Sequence, residues 1–227
     1  MNLERLVGTA LWSMAGAEHC AVATCRLLVV ASGEADLLRD DERRFLEETF
    51  QAQEIEHARC FAGWARRFAP QPLKPSPWLG QLRRDQLRSC RHNPRRRFLM
   101  ALTTLNTDER YVRASVGSTT STLAIADPQL AVDYRQIMDE ERGHVEWGRR
   151  VLGRLTGEDP TTKRIVRLHR GLNGAVFPAL LHQTFTPTFA ALRQVSALRQ
   201  AAAATTRDSE PEEIGAPHWH REEREYP

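Results

Sequence analysis

Apolar positions recur along this chain at spacings of three, four and seven, the signature of helices buried along one side. Over residues 3–31, Val7, Leu11, Met14, Ala15, Val22, Cys25 and Val29 fall on one stripe. A second stripe, over 37–68, joins Leu46, Phe50, Ala58, Phe61 and Ala65. A third, over roughly 94–124, joins Phe98, Leu102, Leu105, Val112 and Val116. A fourth, over 128–155, joins Tyr134, Ile137, Met138, Val145 and Val151. The punctuation agrees with these spans. "SGEAD" breaks the first helix, and the proline-rich "APQPLKPSPW" ends the second because no helix crosses it. A short basic helix fits 78–91, and "HNP" opens the third long helix. Asp127 followed by Pro128 is a capping residue followed by proline at the first helical position. Thr156-Gly157 closes the fourth helix.

Beyond it, 161–202 is a fifth helical region that Pro178 and Pro187 should kink or break, and from 203 the chain is a polar, acidic tail. No stretch reads as a strand. The expectation is an all-α protein: one helical-bundle domain over 1–202, with the linker between the second and third helices as a crossover and 203–227 as a mobile tail.

Some residues break the apolar stripes. In "MDEERGHVEWG", Glu141 and His144 sit one turn apart on the face of Ile137, Met138 and Val145. In "QEIEHARC", Glu54 and His57 repeat that spacing on the face of Phe50 and Phe61. Either ExxH pair alone is a weak motif. The other two helices each add one carboxylate to an apolar stripe, Glu18 and Glu109. A buried, unpaired carboxylate costs several kcal/mol or a large pKa shift, and four brought together repel one another. Two divalent cations remove that repulsion, and four Glu with two His give enough oxygen and nitrogen donors to hold them. Read singly, Glu18 or Glu109 is an ordinary surface or ion-pair residue; the six taken together, in this order and phase, point to a metal site.

Composition changes this picture little. The 227 residues are 41% hydrophobic and 27% charged, ordinary for a globular chain, and the net charge of +3 is too small to argue for nucleic acid. No run of apolar residues long enough for a membrane span is expected, nor a secretory signal, which leads to a cytoplasmic expectation. Cys20, Cys25, Cys60 and Cys90 show no CxxC spacing and read as reduced, mostly buried thiols. The segment 82–97 gathers seven arginines, which serve either as a solvated surface or as a docking site for an acidic partner.

One Glu from each of two helices and ExxH from each of the other two resembles the ferritin-like superfamily of di-iron or di-manganese carboxylate proteins over about 1–155. "DEERGH" is similar to the second metal motif of acyl-carrier-protein desaturases, while "QEIEH" departs from the double-Glu, Arg-His form of their first. The third helix, "NTDERYVRAS", does not match a tRNA-hydroxylating relative. Ile137 stands where arylamine-oxidising relatives carry a seventh ligand.

The resemblance implies a ferritin-like four-helix bundle with an added C-terminal helical region. It implies two iron ions, with manganese or a mixed pair as the alternative, held by Glu18, Glu54, His57, Glu109, Glu141 and His144. It implies an O2-dependent oxidoreductase that hydroxylates or desaturates an organic substrate, hydrophobic or carrier-bound, with electrons from an external ferredoxin or reductase. Glu140 and Gln53, directly before the two ExxH glutamates, stand where relatives hold the His ligands, and Tyr134 lies two turns before Glu141. The fifth region would cap the bundle, line a pocket or form a homodimer interface. Two rivals remain: iron oxidation or peroxide removal of the ferritin or rubrerythrin kind without an organic substrate, and a non-catalytic helical interaction protein.

Overall fold

The computed structural model describes residues 3–69 and 92–174, except Ser115 and the side chains of Leu3, Leu6, 108–118, Thr122 and Ile125, with three further single helical positions at 194, 197 and 200. Among the described residues every regular element is a helix. The proline-rich linker, the basic helix over 78–91, most of the fifth region, the tail and Cys90 lie outside them.

Helix α1 spans Leu3–Ala35, and so runs through the Ser32-Gly33 expected to break it. It stops where Asp36 turns to φ 47° and the Leu37 N–H reaches back to the Ser32 carbonyl at 3.2 Å, a left-handed C-terminal closure. The expectation of no membrane-length apolar stretch also needs correction. By length and composition Val7–Ala35 is apolar enough to cross a membrane, though its inner face packs like that of a core helix.

The second helical stretch is continuous but not uniform. Helix α2 (Asp40–Arg44) passes into a π-helical segment (Phe45–Phe50) and then α3 (Gln51–Phe68). The Glu42 carboxylate accepts from the Arg39 N–H at 3.0 Å, satisfying a donor at the entry to α2. The third stretch is α4 (Pro94–Ala114) followed by α5 (Val116–Ala126). Asn93 caps α4 by accepting from the Arg96 N–H at 2.8 Å. Helix α6 (Pro128–Glu158) begins at Asp127, whose Oδ1 accepts from the N–H groups of Gln129 and Leu130. Asp159 caps a final helix, α7, over 160–174, accepting from the Thr161 and Thr162 N–H groups.

Helix α1 packs along α3 and α4, and α6 along α4 and α5. Gly8 makes one of these approaches possible, because a Cβ there would lie 2.5 Å from the Ala69 Cβ and 2.8 Å from its backbone nitrogen. Trp12 Nε1 then donates to the Ala69 carbonyl at 2.8 Å.

The apolar core divides into two clusters. One gathers Leu28, Leu46, Phe50, Phe98, Leu102, Trp147 and Leu152; the other gathers Leu11, Phe61, Trp64, Leu123, Leu130, Tyr134 and Met138. Along α1, α3 and α6 in turn, the gap between the clusters falls at Glu18, at Glu54 and His57, and at Glu141 and His144. The polar residues thus form a layer between two apolar plugs.

Two arginines of the basic segment are engaged within the fold: Arg95 pairs with Asp159 at 2.9 Å and Arg97 with Glu34. Cys20 is exposed, contrary to the expectation of mostly buried thiols, because α1 turns it away from both clusters; Cys25 is buried and Cys60 partly so.

Candidate metal centre

Helical phase carries the five polar side chains inward. Glu54 and His57 are 1% and 2% exposed, and Glu141 and His144 are 4% and 0% exposed, so none of the four has bulk water to solvate it. Glu18 is half-buried on α1. Ligand atoms of Glu18, Glu54, His57 and Glu141 all lie within 4.8 Å of one another, a group that can hold a metal ion.

Glu141 sits between the two imidazoles. Its Oε1 is 3.1 Å from His57 Nδ1 and its Oε2 is 3.2 Å from His144 Nδ1. His144 Nδ1 also lies 3.0 Å from Glu54 Oε1. In both rings, therefore, Nδ1 faces the carboxylates. In both, Nε2 points away and is bonded by the other helix: His57 Nε2 lies 2.8 Å from Glu140 Oε2, and His144 Nε2 lies 2.9 Å from Gln53 Oε1. The residue preceding each ExxH glutamate thus grips the histidine of the opposite helix. An Nε2–H donated outward leaves the Nδ1 lone pair for a cation, an arrangement metal-binding histidines commonly adopt.

Electrostatics separate the carboxyls. Burial, then the charge of Glu141, pushes Glu54 up to about 8. Glu18 is raised well above the ordinary range by burial first, then by the charges of Glu141 and Glu54. For Glu141 burial acts upward too, but hydrogen bonds from His144 and His57 overcome it and bring the carboxyl down to about 2. His57 is raised: burial opposes its charged form, and Glu141, Glu18 and Glu140 together outweigh burial. Both Glu54 oxygens are buried without a hydrogen bond of good geometry, His144 Nδ1 being near but misaligned. With one proton between them, Glu18 and Glu54 can share it. Orphaned, buried carboxylate oxygens facing two inward Nδ1 atoms fit a cation that accepts oxygen and nitrogen donors.

Neighbours close the site. The Phe50 ring stacks on His144 at 3.8 Å between centroids and 13° between planes. The π-helical segment ends at Phe50, one turn before Glu54; such segments recur at functional sites. Nothing in the hydrophobic pattern announces that wide turn, and the ring's role was visible only as one more apolar position. Tyr134 is buried 6.3 Å from Phe61; burial and the charges of Glu18 and Glu141 push its phenol up to about 12 despite the adjacent Thr119. The backbone of Glu109 lies in α4, but its side chain is outside the described residues. Thr104, Asn106 and Thr107 on α4 are held by hydrogen bonds. Asn106 donates to the Val145 carbonyl at 2.9 Å, Thr107 to the Thr103 carbonyl, and Thr104 accepts from Asn173. Glu47 is exposed, and Ile137 is buried.

No family profile matches the chain, and no curated protein or solved structure is significantly similar to it. The geometry by itself establishes, among the described residues, an all-helical fold with a largely buried Glu/His group that can hold a metal ion.

Proposed function

We propose that this chain is a ferritin-like di-iron protein that uses O2 to oxidise an organic substrate. The observation that carries the reading is Glu54: a carboxyl 1% exposed, with no well-aligned hydrogen bond to a neutral or cationic donor, among two further carboxyls and two imidazoles. A protein that needed only stability would have an apolar residue there. Glu18, Glu54, His57, Glu141 and His144 would hold the ions, and Glu109 would complete the set the sequence pattern implies. Oxygen and imidazole donors suit ferrous iron and also manganese. When bound, iron would supply the redox chemistry with O2, and an external donor the reducing electrons.

The chain's own residues do the remainder. The two apolar clusters exclude water from either side of the polar layer, which strengthens every charge interaction within it. Phe50 and Trp147 fix the His144 ring, Phe50 by stacking on it and Trp147 by packing edge-on against Phe50. An apolar enclosure favours a hydrophobic or carrier-bound substrate.

The test is anaerobic Fe(II) titration of the metal-free protein followed by O2, read by optical and Mössbauer spectroscopy. Two irons per chain that convert to a coupled di-ferric state, and lose that coupling in Glu141→Ala, support the reading. No stoichiometric iron, or iron indifferent to Glu141, overturns it. O2 consumption that rises on adding an organic substrate separates an oxygenase from iron oxidation or peroxide removal.

A further inference from the structure

The grips on the two histidines are reciprocal in position but unequal in charge. Glu140 on α6 holds His57 on α3 through Nε2 at 2.8 Å; Gln53 on α3 holds His144 on α6 through Nε2 at 2.9 Å. Glu140 is itself steadied by Gln136, whose Nε2 donates to Glu140 Oε1 at 3.3 Å. Glu140 is a carboxylate, 29% exposed, and brings a negative charge next to the His57 imidazole. Gln53 accepts the same kind of hydrogen bond and brings none. A charged acceptor makes hydrogen bonds roughly twice as strong as a neutral one. It also makes the imidazole a better donor at its other nitrogen. Within the layer each ring faces carboxyls on its Nδ1 side: Glu141 turns one oxygen toward each at 3.1 and 3.2 Å, Glu54 Oε1 lies 3.0 Å from His144 Nδ1, and Glu18 stands in the same 4.8 Å group as His57, so the difference in charge lies at the outer Nε2 partners.

We infer that Gln53 and Glu140 are positioning residues that make the two halves of the centre unequal: the cation beside His57 binds first and more tightly, and the one beside His144 binds second and more weakly. This rests on the two-metal reading above. Outer hydrogen-bond partners of metal-bound histidines are worth about 10–100-fold in affinity. Replacing the anionic partner by a neutral one on a single side separates the two binding steps by a factor of that order. A stepwise centre keeps a vacant, weaker position that fills only when metal is plentiful, so occupancy of the second half sets how much of the protein is competent.

The two rings lie 6.0 Å apart, so the probe is a diamagnetic ion, Zn(II), added to the full chain labelled with 15N-histidine, with the imidazole nitrogens followed through the titration. At one equivalent the His57 Nδ1 takes its metal-bound shift while that of His144 keeps its metal-free one; the second equivalent moves His144. Gln53→Glu should tighten the second step about 10–100-fold and merge the two. Glu140→Gln should weaken the first by a similar factor. The swap Gln53→Glu/Glu140→Gln should invert the order in which the rings respond. The wild-type titration decides the matter without any variant: two Zn(II) ions that give both Nδ1 atoms their metal-bound shifts together from the first addition overturn the inequality while leaving the two-metal reading intact. Fewer than two Zn(II) per chain overturns the two-metal reading itself.

Discussion

Replacing Glu54 by glutamine should make the metal-free protein more stable at alkaline pH while abolishing tight metal binding. Glu54 is 1% exposed, and burial, then the Glu141 charge, lifts it from 4.5 to about 8. The folded chain therefore holds this proton more tightly than the unfolded chain does. The stability it contributes is complete below the unfolded value near 4.5 and is lost as pH rises through 8. At 1.36 kcal/mol per unit the full displacement is on the order of 5 kcal/mol, a large part of a typical domain's total stability. Glutamine keeps the shape, carries no charge and does not titrate. The assay is guanidinium unfolding of both proteins in EDTA between pH 5 and 9.5. The wild-type curve should fall below that of Glu54→Gln by about 3–5 kcal/mol over this range. Added Fe(II) or Co(II) should reverse the order, because a cation bound only by the folded state stabilises it in proportion to RT ln(1 + [L]/Kd). Parallel pH curves for the two proteins would show that Glu54 is solvated or paired in solution, and the electrostatic case for a cation would fail with it.

The other predictions concern the same layer and its frame. Glu54 is lifted to about 8, so at pH 7 metal must displace its proton. Affinity should then climb with pH up to about 8, and calorimetry in buffers of different ionisation heat should report proton release. A Cβ at Gly148 would lie 2.8 Å from Asn106 Nδ2 and 3.4 Å from its Cβ. Gly148→Ala should therefore displace the Asn106 bond to Val145 and cost about 1–3 kcal/mol by chemical denaturation. Asp127→Ala removes the α6 cap and should cost about 1 kcal/mol in the same assay. His169 is lowered by burial first and then by Arg96, so the unfolded chain takes up its proton first. Stability should drop as pH falls below about 6.5, and His169→Leu should flatten that acid limb.

The sequence by itself determined the helices and the place of Glu54, His57, Glu141 and His144 in the polar layer. Periodicity of three and four placed Val7, Leu11, Phe61, Tyr134 and Val151 inside, and one-turn spacing put Glu54 with His57 and Glu141 with His144 on inward faces, because both follow from helix geometry alone. Asp127-Pro128 and Asn93-Pro94 marked helix starts through chemistry local to a few residues. What the tertiary structure decided depends on distances between helices. It brought Glu18, Glu54, His57 and Glu141 within 4.8 Å, and no spacing along one chain encodes that approach. It crossed the grips, Gln53 to His144 and Glu140 to His57, which requires knowing that α3 and α6 face each other. It carried α1 past Gly33 to Asp36, since packing outweighs the roughly 1 kcal/mol that glycine costs a helix. It widened the turn at Phe45–Phe50 and laid Phe50 on His144. Helical phase is a property of each segment, whereas the charge balance of a buried layer exists only once the helices have met.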